Sequence, residues 1–449
     1  MNISRVVGGT LITRDGPLRA DVLIAGGKVA AVGEHRVGAG RQLDASGCWV
    51  LPGGVDPHCH LMAGIDRATA AAARGGTTTA LSFTSPARGE GAPECLLRSR
   101  SETERGGAAI DVGLHAAIYD PDRVSHEDLA AVSQAGAAAI KVFLAYRELG
   151  IMCSTRRLYE LMSSARRLGL LVQVHCENGP LIEALETDAL EAEAADAARS
   201  GPRIFADTRP PEVEEAAVAS TLAAASLARA PCYLVHLSTA GALDQVRLAR
   251  RRGQPPIFAE TCLHHLLLDD SCYSGDDAAR YLVAPPLRAR HHVEALWEGL
   301  ADGTIDAVGS DHCQARTLTA GRLAAAGHSY AYGLAGIGPR LPLLLSAAIA
   351  RDLPVGRIVQ LAAENAARAF GQYPKKGALL AGSDADVVIF DPDGETTMPG
   401  DGLGDGTADS VYAGQVASGR IRDVVLRGQL IVSGGELVDG HTGGQFLPG

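Results

Sequence analysis

The feature that most restricts the fold is an alternation repeated through the middle of the chain. A short, nearly continuous apolar run is followed by a polar loop and then by an alanine-rich stretch of helical periodicity. The apolar runs are Val50–His60, Thr77–Phe83, Asp111–Ile118, Ala138–Tyr146, Leu170–His175, Cys232–Ser238, Ile257–Cys262 and Asp306–Asp311. Helical segments such as Ser154–Leu168, Glu212–Ala228, Gly241–Arg252 and Arg290–Leu300 separate them. A strand apolar on both faces must be covered on both, and a helix between successive strands implies a parallel crossover. Eight such units predict an α/β fold, a (β/α)8 TIM-like barrel. Leu185–Ala198 is so rich in alanine and acid that an exposed helix is expected there.

The two ends of the chain have another texture. Val6–Ile12, Asp21–Ile24 and Lys28–Val32 read as short strands with a hairpin turn at Gly26-Gly27, and Ala385–Phe390 and Asp423–Val432 repeat the pattern. Neither end closes a core alone, so a small β-sandwich formed by both termini is expected. The division is residues 1–50, 51–372 and 373–449: sandwich, barrel, then the rest of the sandwich and a tail. The net charge of −11 and an aromatic content of 4% argue against nucleic acid. Nine cysteines without C-x-x-C spacing suit a reducing compartment, the cytoplasm. No targeting segment or membrane-spanning run is read in the sequence.

Active sites of such barrels lie at the C-terminal strand ends, so polar residues that end apolar runs are the ones to collect. His58 and His60 end the first run and, two apart in a strand, present two imidazoles on one side. Such a pair suits zinc, manganese or a similar divalent ion, and it also occurs as packed or surface histidine. His175, His236 and Asp311 end three later runs. Singly, a buried histidine is more often a hydrogen-bonded core residue, and an aspartate after a strand commonly caps a helix. Five ligand-type residues at strand ends together favour a metal site. Lys141 is the odd member, because an ammonium in an apolar strand must be paired, deprotonated or modified. Carboxylation by CO2 would turn its amine into a carbamate able to bridge two cations; a salt bridge across the barrel is the plain alternative.

At this point the residues support a resemblance. GGVDPHCHL (53–61), IKVFLAYRELGIM (140–152), VQVHCENG (172–179), YLVHLSTAGAL (233–243), AETCLHHL (259–266), APPLR (284–288), VGSDHC (308–313), GSDADVVIFDP (382–392) and RGQLIVSGGELV (427–438) span almost the whole chain. With them the sequence resembles the hydantoinase/dihydropyrimidinase family, cyclic-amide hydrolases of the amidohydrolase superfamily. The resemblance implies two divalent metal ions, zinc or manganese, with His58, His60 and Asp311 on one and His175 and His236 on the other. Carboxylated Lys141 and a hydroxide would bridge the pair. Asp311 would take the hydroxide's proton and pass it to the departing ring nitrogen, and Tyr146 would donate a hydrogen bond to the oxyanion. The backbone near Ala284 and Tyr332 would contact the ring amide. The implied reaction opens a hydantoin or dihydropyrimidine to an N-carbamoyl amino acid, and the implied assembly is a homotetramer. Allantoin or dihydroorotate as substrate, or a non-catalytic scaffold, are the alternatives; retention of all six ligand positions argues against the last.

Other residues carry less weight. His264 and His265 are read as strand neighbours facing opposite ways, at least one of them structural. Asp56 is a candidate for orienting a ligand, Glu177-Asn178 for supporting a loop, and Cys59, Cys176, Cys262 and Cys313 for wall or packing roles. The sequence departs from the family where Leu61-Met62-Ala63-Gly64 leads almost directly into the helix ending at Gly75-Gly76, a shortened loop. It departs again at Tyr332-Gly333-Leu334-Ala335-Gly336 and at Ala284, which stands where relatives have serine. Loops set substrate choice on this scaffold while strand ends set the reaction.

Overall fold

The computed structural model describes residues 1–34, 40–61, 64–195, 202–313, 316–317, 331–405, 407, 409–438, 440 and 442–449. Eight parallel strands pair in chain order: Gly54–Cys59, Thr77–Phe83, Asp111–Ala117, Ala139–Phe143, Val172–His175, Cys232–Leu234, Ile257–Cys262 and Ala307–Gly309. Each lies inside a range expected from the sequence. Every residue of Thr77–Phe83 and of Asp111–Ala117 is buried, which is why these runs carry no alternation. Helices cover the outside. Thr155–Arg167, capped by the Ser154 side chain, buries Leu158, Leu161, Met162 and Ala165, one stripe at helical spacing.

The first and eighth strands meet without an extended ladder. Ser310 donates its amide to Asp56 Oδ1 at 3.0 Å and its hydroxyl to the His58 carbonyl at 3.1 Å, and the His60 amide donates to the His312 carbonyl at 2.7 Å. Asp56 thus orients the strand that carries His58, with the buried Arg340 guanidinium 3.8 Å behind it. These bonds close the (β/α)8 barrel beside the strand ends that carry His58 and Asp311.

Two sheets are built from the terminal regions. Seven strands order as Glu436–Leu437, Gln429–Ser433, Val416–Leu426, Val387–Thr397, Trp49–Pro52, Thr10–Thr13 and Gly16–Arg19, so the central pairing joins the two ends of the chain. Lys28–Gly33, Asp21–Ala25, Arg5–Val7 and Gln42–Asp44 form a second sheet, and Val6, Leu11, Val22, Val387, Ile389 and Val425 share one core. The Gly26-Gly27 turn is present, both residues at positive φ.

Three expected runs are broken by the structure. Val50–His60 divides at Gly53, Trp49–Pro52 pairing with Val387–Thr397 while Gly54–Cys59 starts the barrel. A Cβ on Gly53 would lie 2.0 Å from Thr78 Oγ1, so only glycine lets the chain pass from sheet to barrel there. Val6–Ile12 divides at Gly8-Gly9 between the two sheets, and Asp423–Val432 folds back at Arg427-Gly428 as a hairpin with Leu426 opposite Gln429. The helix expected over Leu185–Ala198 spans Gly179–Ala195, with 196–198 outside the described residues. It is not wholly exposed, because Glu186 is buried against Arg209, 3.2 Å away.

Candidate active site

The strand ends bring the six ligand-type residues into one cavity of about 160 Å³, which Tyr146, Ala284 and Tyr332 also line. His58 Nε2 and His60 Nε2 lie 3.0 and 3.3 Å from Asp311 Oδ1. Beside them His175 Nδ1 meets His236 Nε2 at 2.8 Å, and the His58 and His236 ring centroids are 5.4 Å apart. Asp311 therefore faces its histidines across the barrel mouth. Gly309 permits this closeness, since a Cβ there would stand 3.0 Å from His58 Cβ and 3.1 Å from Glu260 Cδ.

Burial lowers His60, His175 and His236, so their imidazoles are neutral and carry a free lone pair. His58 differs. Burial opposes its charge, but the carboxylates of Asp311 and Glu260 outweigh it and raise the group to about 9. Burial likewise opposes the Asp311 carboxylate, and His58 and His60 nevertheless hold it well below the usual range. Imidazoles grouped around an ionised carboxylate are a donor set that a divalent cation takes, His58 yielding its proton on binding, and His58, His60 and Asp311 stand close enough to share one.

Lys141 is 2% exposed, and among the described residues no hydrogen bond or ion pair reaches its Nζ. It lies over the rings of Phe83 and Phe143, 4.6 and 5.4 Å from their centroids. The salt bridge across the barrel, the plain alternative, is thus not formed. Burial lowers Lys141 to about 8, which makes a neutral, nucleophilic amine accessible near physiological pH.

Tyr146 begins a short turn, Arg147–Leu149, and its ring centroid is 5.1 Å from that of His175. Burial holds its hydroxyl protonated well beyond the ordinary range. Tyr146, His236 and Asp311 all have left-handed backbones, with φ of 69, 40 and 44°. Three such non-glycine residues around one cavity mark strain held in place by the surrounding structure.

Two acids were given no role at the site, or a lesser one, by the sequence. Glu260, in mid-strand, accepts from His58 Nδ1 at 2.6 Å, from the Tyr233 hydroxyl at 2.8 Å and from the His236 amide at 3.2 Å. Glu177 does not merely support a loop: its Oε2 lies 2.8 Å from His175 Nε2 and so leaves Nδ1 facing the cavity. Each fixes a ring through its second nitrogen. The signal for Glu260 was available, because a buried acid in an apolar strand requires partners. His264 and His265 also differ from expectation. They lie in a short helix, Leu263–Leu267, with ring centroids 4.2 Å apart and both rings buried. Cys59, Cys176 and Cys262 are buried and Cys313 lines the cavity. Met62 and Ala63 of the shortened loop lie outside the described residues, and the next helix begins at Ile65.

The family model described as the amidohydrolase family matches residues 49–431. A D-hydantoinase from Ralstonia pickettii is 34% identical over 98% of this chain and 98% of its own, and a D-phenylhydantoinase from Escherichia coli is 34% identical over 98% and 97%. The crystal structure of a dihydropyrimidinase from Brevibacillus agri superposes with a TM-score of 0.91 at 31% identity, covering 100% of this chain and 98% of that one. The chain belongs to the amidohydrolase family, in its hydantoinase/dihydropyrimidinase branch. Among the described residues no helix is long and apolar enough to cross a membrane.

Proposed function

We propose that this protein is a metal-dependent hydrolase that opens a cyclic amide or imide ring, a hydantoin or dihydropyrimidine, to an N-carbamoyl amino acid. The observation that carries the reading is the meeting of six ligand-type side chains, from separate strand ends, in one cavity that also holds Tyr146. Relatives named D-hydantoinase over nearly the full length support it.

His58, His60 and Asp311 would hold one divalent ion, His175 and His236 a second, with carboxylated Lys141 between them. When bound, such ions lower the pKa of water toward neutrality and polarise the amide carbonyl, with zinc the ion best suited to four imidazoles. The protein's own groups do the rest. Asp311, held ionised at the cavity wall, accepts the proton of the attacking water and returns it to the departing ring nitrogen. Tyr146, held protonated, donates to the oxygen on which negative charge develops. Phe83 and Phe143 keep Lys141 and the reacting carbonyl in an apolar surround. Backbone groups near Ala284 and Tyr332, which line the same cavity, orient the ring amide. A reducing compartment such as the cytoplasm suits nine cysteines with no disulfide among the described residues, and a homotetramer is the assembly we expect.

Ring opening followed in the ultraviolet tests this with hydantoin, phenylhydantoin, dihydrouracil, allantoin and dihydroorotate. Turnover of the first three is expected. Preference for allantoin or dihydroorotate moves the protein to another substrate, and no turnover of any by metal-loaded protein refutes the hydrolase reading.

A further inference from the structure

Close to Asp311 lie two further donors, Cys262 and His264, that the reaction above does not use. Cys262 ends the seventh barrel strand two residues after Glu260, so both side chains turn to the barrel interior. The chain then coils, and His264 comes back over the same spot. One ligand atom each from Cys262, His264 and Asp311 lies within 4.8 Å of the others.

A second observation points to an occupant. Both ring nitrogens of His264 are buried without a partner among the described residues, as are those of His265 and the hydroxyl of Tyr412. The His264 and His265 rings stand together, with centroids 4.2 Å apart. Unsatisfied polar atoms of this number, buried together, require a polar guest. Thiol, imidazole and carboxylate in one place select a borderline-soft cation of tetrahedral habit; magnesium and calcium prefer oxygen alone.

We propose that Cys262, His264 and Asp311 form a further cation site, selective for a thiophilic divalent ion such as zinc or cadmium, whose occupation draws Asp311 from proton transfer and inhibits the enzyme. Binding replaces the Cys262 thiol proton, which leaves to solvent, by a sulfur–metal bond; no oxidant or reductant is involved. A carboxylate has two oxygens, so Asp311 can serve both groups, but not as a free base. The inhibitory half rests on the role given to Asp311 above, whereas the binding half does not.

The test is a cadmium titration of the purified holoenzyme, read by thiolate-to-cadmium ultraviolet absorption and by metal counted per chain, with ring-opening rates measured alongside. Expected is one thiolate-bound cadmium beyond the resident ions, with activity falling in step. Cys262→Ser and His264→Gln should weaken that binding at least ~10-fold. Cys313→Ser, whose thiol lines the cavity, should keep both band and inhibition. A band that survives Cys262→Ser but vanishes in Cys313→Ser overturns the site, as does its absence from wild type. A normal band without inhibition overturns the regulatory role. Failure of the hydrolase reading shows instead as no turnover before cadmium is added.

Discussion

Two lysines are buried in this barrel to nearly the same extent, 2% exposed for Lys141 at the mouth and 1% for Lys376 at the base. Lys376 Nζ stands 2.6, 3.0 and 2.7 Å from carboxylates of Asp111, Asp384 and Asp386, and Arg427 adds a further contact to Asp111. Three acids so close resemble a cation site, and the ammonium is the cation. Lys141 has no carboxylate within ion-pair distance among the described residues, and its nitrogen lies over aromatic faces. Burial opposes the charge of both; the carboxylates reverse that for Lys376, which is raised, while Lys141 falls to about 8. The same residue type is a fastener at one end and, in the proposed reaction, a chemical handle at the other, and the neighbouring carboxylates decide which.

Four experiments break or sharpen that contrast. The largest effect is expected from Lys141→Ala, which should lower kcat/KM by roughly 1,000-fold or more while leaving the thermal midpoint within a few degrees. An active variant would mean that Lys141 is no handle. Lys376→Met should do the reverse, leaving three buried carboxylates uncompensated at a cost of ~3–5 kcal/mol by urea unfolding, with kcat of the folded enzyme little changed. A loss below ~1 kcal/mol would reduce the cluster to the standing of a surface pair.

Opposite pH slopes come next. For Lys141 the folded value lies below the usual 10.5, so between pH 8 and 10.5 the unfolded chain binds the extra proton and folding gains with rising pH. Metal-free wild type should gain about 3 kcal/mol on Lys141→Met across that window. For Lys376 the folded value is raised, so its contribution is complete below 10.5 and fades above it. Parallel slopes from urea melts of the two variants would erase the distinction. The smallest effect is that of Glu260→Gln, expected to weaken metal binding roughly 10- to 100-fold in chelator competition. Unchanged affinity would show that the 2.6 Å contact with His58 orients nothing that matters.

The mouth was the more legible end. His58, His175, His236 and Asp311 close apolar runs, where polarity interrupts burial, and that contrast is visible along one stretch of chain. Glu260 was not assigned because an acid in an apolar strand shows only that it needs a partner, and that partner, His58, is 202 positions away. The seam at Gly53 was hidden for another reason: apolar residues continue through it, and only the approach of Thr78 shows that one run serves two sheets. His264 and His265 were read with strand periodicity because the apolar texture of Ile257–Cys262 carries on past its end into a turn of helix. At the base, Asp111, Asp384 and Asp386 look like ordinary loop and strand-start acids until the fold gathers them on Lys376.

The left-handed backbones of His236 and Asp311 bear on the descent of proteins like this one. Asparagine and glycine accept that conformation readily. Such a substitution can therefore remove a proposed ligand at either position while the local backbone keeps its conformation. The main chain is thus no barrier to loss of chemistry here, and a lineage carrying this barrel can shed its reaction, keep its shape and be recruited for something else.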